Sequence, residues 1–318
     1  MRRHHLTGKS TAQAALMAGL LVAGSAAAVD WGSVDATRIT MFYPGQSSWE
    51  NVLTPSDHDG AEKFREGKDC LECHEDEETE MGDTIVSGEK YEPDPVAGKP
   101  GSLAVDVKAA YDDQRLYIQL AWDDTGFTAP EPESEALVHV NMMLGDGSVP
   151  SYSRGGCWAT CHADLRGMPH GTPELDLTKY LARSRTKVTR TGGGTDYKPD
   201  GDLQSMLSDG MFIEYWQAVV PEAGAEAVPA SGYILGQRHR SDSPSIDAAA
   251  TLDSGRWTVE MSRPLAAAGE GQKSISEGNE YVVGLAIHDG HADGRRHYVA
   301  FKRTLTLGDG GQITAARQ

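Results

Sequence analysis

Ser102-Leu103-Ala104-Val105-Asp106-Val107-Lys108-Ala109-Ala110, then Tyr111-Asp112-Asp113-Gln114, then Arg115-Leu116-Tyr117-Ile118-Gln119-Leu120-Ala121-Trp122-Asp123, reads as two strands and the turn between them. Apolar and polar residues alternate on both arms, the two-residue period of a sheet with one buried face. The Asp pair at the centre supplies turn chemistry, because its short side chains bond their own backbone. Outward from this hairpin the pattern recurs at 137–144, 212–220, 232–237, 256–262, 281–288 and 297–307, with Gly, Pro and Asp between the runs. Many short strands broken by turn residues predict a mainly β protein, a β-sandwich with few and short helices.

Two stretches depart from this pattern. Residues 29–100 form an N-terminal arm with at most short helices, ahead of a sandwich domain that spans 101–318. Inside the sandwich, residues 155–197 read as a long insertion with a short helix at 175–183 and a Gly192-Gly193-Gly194 break. Long loops in a compact domain usually serve function. Both stretches carry the chain's cysteines. Residues 222–229, rich in Ala and Glu, read as a loop.

All four cysteines fall in two short motifs, Cys70-Leu71-Glu72-Cys73-His74 and Cys157-Trp158-Ala159-Thr160-Cys161-His162. Both are read as C-x-x-C-H-type attachment signals for c-type haem, so two haem c groups are expected. Two thiols close in sequence reach the two vinyl groups of one porphyrin, and the histidine that follows presents its imidazole to iron. Cys70, Cys73, Cys157 and Cys161 are then the thioether positions, and His74 and His162 the proximal ligands. A zinc site needs four converging ligands, and a redox dithiol has no need of the histidine twice.

The sixth position of each iron separates electron transfer from catalysis, since a saturated iron carries electrons and an open one binds peroxide or oxygen. The chain offers His58, His139, His170, His239, His288, His291 and His297. His288, His291 and His297 sit between two alternating apolar runs, as if at the mouth of a hairpin. His288 and His297 are candidate distal ligands, as are His139, in an apolar strand, and Met168, six residues beyond His162. Met142 and Met143 share that strand and read as packing residues.

Residues 1–28 read as a secretory leader, with Arg2, Arg3 and Lys9 ahead of an apolar run, and cleavage is expected near Ala28. The run falls short of the roughly 20 residues that span a bilayer, so no stable membrane insertion is expected and the destination is the periplasm. The chain holds 29 Lys and Arg against 47 Asp and Glu, a formal charge of −18. Such a surface repels nucleic acid and anionic lipid and suits a basic redox partner. Glu75-Asp76-Glu77-Glu78-Thr79-Glu80, directly after the first motif, is the densest acidic run.

The hairpin at 111–122, the stretch Gly156-Cys157-Trp158-Ala159-Thr160-Cys161-His162-Ala163-Asp164 with Met168-Pro169, and the closing Ala286-Ile287-His288-Asp289-Gly290 with His297-Tyr298-Val299 together resemble the haem-binding domain family of ethylbenzene dehydrogenase γ subunits. That family includes dimethylsulfide dehydrogenase γ subunits and dihaem cytochromes associated with nitrate reductases. The resemblance implies an immunoglobulin-like, DOMON-like β-sandwich with long haem-wrapping loops, passing electrons to or from a molybdenum enzyme. It also implies iron ligands on a central strand, here His139 or Met143, and on a late strand, here His297. In the γ subunits the haem is b-type, and a covalently attached haem with His162 as ligand would replace one of those ligands.

The leading expectation is therefore a periplasmic dihaem electron-transfer cytochrome rather than an enzyme. Its partner would be a molybdenum oxidoreductase or a membrane quinol-oxidising cytochrome. Two other readings compete. A dihaem peroxidase has the same two motifs, but it is largely helical and keeps one iron open. A haem-based sensor or binding sandwich would use Trp122, Trp216 and Trp257 as a ligand surface, although tryptophans in strands are more often core.

Overall fold

Alternation becomes architecture in the computed structural model of the chain, which describes residues 29–129, 134–162, 179–187 and 196–318. Thirteen strands form: β1 Thr37–Phe42, β2 Ser102–Tyr111, β3 Arg115–Asp123, β4 Val138–Gly145, β5 Ile213–Val220, β6 Val228–Ile234, β7 Arg238–Arg240, β8 Asp247–Asp253, β9 Arg256–Pro264, β10 Glu280–His288, β11 Tyr298–Val299, β12 Arg303–Leu307 and β13 Ile313–Arg317. They pair in the order β7-β6-β5-β4-β10-β11-β1-β2-β3-β9-β8, and β12 and β13 make a second bridge from β10 to β2. The two halves fold over one another, with β5 and β6 against β8 and β9, and the result is the expected β-sandwich.

Every second residue fills the interior. Leu103, Val105, Val107 and Ala109 of β2 meet Val138, Val140, Met142 and Leu144 of β4 and Tyr281, Val283, Leu285 and Ile287 of β10 in one buried cluster. Trp122, Trp216 and Trp257 lie in that cluster with Trp122 and Trp257 stacked, so the tryptophans are core residues and not a ligand surface. The interior also holds Glu214 and Arg263, both essentially unexposed and 2.9 Å apart. The carboxylate accepts from the Trp216 indole and the Lys273 backbone as well, which supplies the partners a buried charge requires.

The opposite face of β1, β4, β5 and β10 is buried too, against the haem-motif segments. Phe42, Met143, Ile213, Tyr215 and Val282 join Trp49, Phe64, Tyr152, Cys157, Trp158 and Phe301 in a second cluster. This layer carries six short helices: α1 Trp49–Val52, α2 Ala61–Arg65, α3 Leu71–His74, α4 Glu78–Val86, α5 Pro150–Gly155 and α6 Asp200–Ser208. No described helix is long and apolar enough to cross a membrane.

Several expectations shift. The arm is not strandless: β1 pairs with β2 along its full length and reaches β11. Residues 228–234 are strand β6, although 222–229 reads as a loop. The Ala-rich strand β8 was invisible to strand propensity, which is low for Ala and Asp. Of the helix expected at 175–183, only Ala182–Ser184, one 3-10 turn, falls among the described residues with Lys179, Tyr180 and Leu181.

The run 297–307 is two strands because it contains one extra residue. Val299 pairs with Ala286 and Arg303 with Val283, so four steps on this strand oppose three on β10. This bulge changes the alternation phase, from Tyr298 and Ala300 inward to Leu305 and Leu307 inward. At the bulge, the Phe301 ring stacks against His74 and the Lys302 amine pairs with Asp69. Both side chains meet the first haem motif.

Candidate haem sites

Cys70 caps the N-terminus of α3, and Cys73 and His74 lie within it, so one helical turn presents both thiols and the imidazole to one side. Opposite stands His58. Its ring centroid is 6.0 Å from that of His74, with the planes 36° apart. Two imidazole–metal bonds of about 2 Å, each added to the reach from ring centre to nitrogen, account for such a spacing. Each histidine also has its Nδ1 occupied, His58 by the Val52 carbonyl at 3.0 Å and His74 by the Glu77 carboxylate at 2.8 Å. Those bonds leave Nε2 for a metal, the usual second sphere of a ligating histidine.

The space between the two imidazoles is a cavity of about 390 Å³ lined by Cys70, Cys73, His58, His74, Phe42, Trp158 and Phe301 among others, within the roughly 300–1,000 Å³ of cofactor sites. Burial lowers the His58 pKa against the opposing effect of its Val52 bond, with His74 adding to the lowering, which favours the neutral, ligating form. Gly60 makes room for this ring: a Cβ there would lie 2.9 Å from His58 Cε1. Burial pushes the Cys70 thiol up to about 12, as it does Cys157.

The second motif begins in a 3-10 turn, Gly156–Thr160, packed on β10, where a Cβ at Gly284 would lie 2.5 Å from Cys157 Sγ. Its spacing corrects the sequence reading. Three residues, Trp158, Ala159 and Thr160, separate Cys157 from Cys161, so only the first motif is C-x-x-C-H. Cys161 Sγ lies 3.1 Å from the Cys157 carbonyl and accepts from Lys179 Nζ at 3.3 Å. His162 is fully buried, with Nδ1 donating to Glu50 Oε1 at 2.7 Å and Tyr180 stacked on its ring at 4.0 Å. Its Nε2 is a buried nitrogen with no hydrogen-bond partner among the described residues. A metal bond would satisfy it.

Of the three histidines expected at a hairpin mouth, His288 and His297 come together and are joined by His139 from β4, whereas His291 Nδ1 lies 3.2 Å from the Ser134 carbonyl. His139 opposes His288 across β4 and β10, and His297 immediately precedes β11, which pairs with the far end of β10. Ring centroids are 5.6 Å apart for His139 and His288, and 4.7 Å for His288 and His297. His139 Nε2 is 3.1 Å from Ser134 Oγ, whereas His297 Nδ1 donates to the Gly294 carbonyl at 3.0 Å and keeps Nε2 free. Burial lowers all three imidazoles, His297 to about 3 and His288 well below its ordinary value. His139, Met143, Gly284 and His288 occupy alternate positions facing the haem-motif layer. Met142 points into the sandwich core instead, and Met168 lies outside the described residues.

The two regions share a wall. His74 stacks on Phe301 with centroids 5.9 Å apart, and Phe301 lies 5.6 Å from Trp158, which stands between Cys157 and Cys161. Phe42 packs against both rings. Three of these roles escaped the sequence reading: His58 as the partner of His74, Glu50 behind His162, and Phe301 between the motifs. His58 alone left a signal, as the nearest preceding histidine to the first motif.

The family described as ethylbenzene dehydrogenase matches residues 225–300. Cytochrome c-551 of Rhodocyclus tenuis is 28% identical over 92% of this chain and its own full length. The solved structure of a carbohydrate-binding module of family 9 from Caldicellulosiruptor kristjanssonii, in complex with cellotriose, is matched at 8% identity and a TM-score of 0.31 over 68% of this chain and 77% of that one. Cytochrome c-552 of Stutzerimonas stutzeri is 33% identical over 98% of this chain and the whole of its own length. Identity sustained over both full lengths places this chain in the cytochrome c family that includes cytochrome c-552.

Proposed function

We propose that this cytochrome holds two haem c groups, both six-coordinate, and works as a short relay. The first would be attached through Cys70 and Cys73 and held between His74 and His58. The second would be attached through Cys157 and Cys161, with His162 proximal and His297 the favoured distal ligand. His288 is the neighbouring alternative, and His139, held by Ser134, is the least suited of the three. The observation that carries the reading is the His58–His74 pair, two imidazoles facing each other across one cavity with both Nδ1 atoms anchored. When bound, haem supplies a one-electron couple that needs no proton or atom transfer at iron. The chain's own residues orient the imidazoles, bury the ring faces and keep each sixth position filled.

Residues 1–28 serve as a leader for export to the periplasm, where c-type attachment takes place. The match to the ethylbenzene dehydrogenase family supports an oxidoreductase partner of the molybdenum class. The acidic surface, with Glu75, Asp76, Glu77 and Glu80 exposed beside the first motif, suits a basic docking face on that partner.

The test is the intact mass and pyridine-haemochrome spectrum of the exported protein, followed by electron paramagnetic resonance with and without cyanide. Two covalent haems and two low-spin ferric signals unmoved by cyanide are expected. A single haem would remove the relay. A high-spin signal converted by cyanide would replace it with a peroxidase-like centre.

A further inference from the structure

Both proximal histidines donate Nδ1–H to a carboxylate, but the two carboxylates live in different media. At His74 the acceptor is Glu77, whose side chain is 52% exposed beside an imidazole that is 28% exposed. At His162 it is Glu50, 4% exposed beside an imidazole with no exposure. Glu50 is held in place from several sides. It sits in the first turn of α1, whose Ser48 and Asn51 form a reciprocal cap. The Trp49 backbone N–H donates to the Cys161 carbonyl at 3.0 Å, and Thr54 Oγ1 donates to the Glu50 carbonyl at 2.6 Å. The helix is thus docked onto the second motif itself. The second carboxylate oxygen, Oε2, is buried and has no hydrogen-bond partner among the described residues, where His162 is the N–H partner of this group.

We infer that Glu50 is a positioning residue that lowers the reduction potential of the centre at His162, and does so more strongly than Glu77 at His74. The argument rests on His162 being an iron ligand, as proposed above. Ferric haem carries one more positive charge than ferrous haem. A carboxylate on the far side of the proximal imidazole pulls its N–H proton, makes the ring a stronger donor and so favours the ferric state. The same charge acts on iron through space, and that interaction grows as the surrounding dielectric falls. Water and salt screen Glu77 and do not reach Glu50. The fold therefore applies one chemical device at two strengths.

The test is potentiometry, followed optically and by electron paramagnetic resonance, on the intact two-haem protein and on Glu50→Gln, Glu50→Asp and Glu77→Gln. In Glu50→Gln one midpoint should rise by at least about 59 mV, a tenfold change in a one-electron equilibrium, while the other stays. Glu50→Asp keeps the charge and should recover most of the original value. Glu77→Gln should move the other midpoint by less. A Glu50→Gln protein that keeps two low-spin haems but shows no midpoint change, or a smaller one than Glu77→Gln, overturns the inference and leaves the two-haem reading intact. If Glu50→Gln fails to accumulate, the second neutral variant Glu50→Ala decides: a rise in one midpoint with two low-spin haems kept supports the role, and midpoints identical to the parent overturn it. A parent protein with haem at Cys70 and Cys73 alone overturns both.

Discussion

Phe301 lies nearly parallel to His74, ring centroids 5.9 Å apart and planes 14° apart, and on its other sides it meets Phe42 at 5.0 Å and Trp158 at 5.6 Å. One side chain, thrown out of strand phase by a bulge, thus touches the first motif's histidine and the second motif's tryptophan. Replacing Phe301 with Leu keeps an apolar residue there, at under about 1.5 kcal/mol in stability, but loses the stacked ring. Electron exchange between the two haems should slow while both midpoints hold. Pulse radiolysis with partial reduction reads the rate, and an unchanged rate would show that Phe301 only fills space.

His58→Ala should open one iron. The expected spectrum has one low-spin centre intact and one converted to high spin, which cyanide returns to low spin. Gly60→Ala, which crowds the same imidazole, should perturb the same signal more mildly. Two undisturbed low-spin signals in His58→Ala would move the ligand elsewhere.

His297→Ala should open the other iron, and His139→Gln should not, because His139 Nε2 is already held near Ser134. The double variant with His58→Ala should then lose both low-spin signals. A high-spin centre in His288→Ala with His297→Ala unchanged would transfer the role one position along the sheet, to β10.

Acid should weaken the turn between β4 and α5. Burial raises the Asp146 carboxyl, but the Ser148 hydrogen bond and the Lys273 ammonium outweigh it and hold the group below its ordinary 3.8. A group depressed in the folded state contributes stability above its unfolded value, and that contribution fades as pH falls through the folded one. Urea midpoints measured from pH 5 to pH 3 should therefore fall less steeply for Asp146→Asn than for the parent. Parallel curves would remove the contribution.

Arg263→Met should be far more damaging than its place outside both haem regions suggests. It strands Glu214 as an uncompensated charge inside the sandwich, at about 3–5 kcal/mol. Chemical denaturation measures it, and the Arg263→Met, Glu214→Leu pair should recover much of the loss. A Met variant as stable as the parent would mean that the carboxyl is neutral.

The strands and the sandwich were legible from sequence because each depends on local chemistry, a two-residue period stating which face is buried. The two Cys–His stretches were visible as well, although the second holds three residues between its cysteines. Acidity is additive and so was legible in the same way. The tertiary structure alone decided the partners. His58 reaches His74 across sixteen positions only because α2 and α3 pack around one cavity. Glu50 finds His162 because a capped turn docks on Cys161. Phe301 reaches His74 because one extra residue re-aims it. Nothing in a linear pattern specifies which of several histidines will face one another, since that depends on distances closed by packing remote segments against one sheet face. The sequence names the donors, and the fold pairs them.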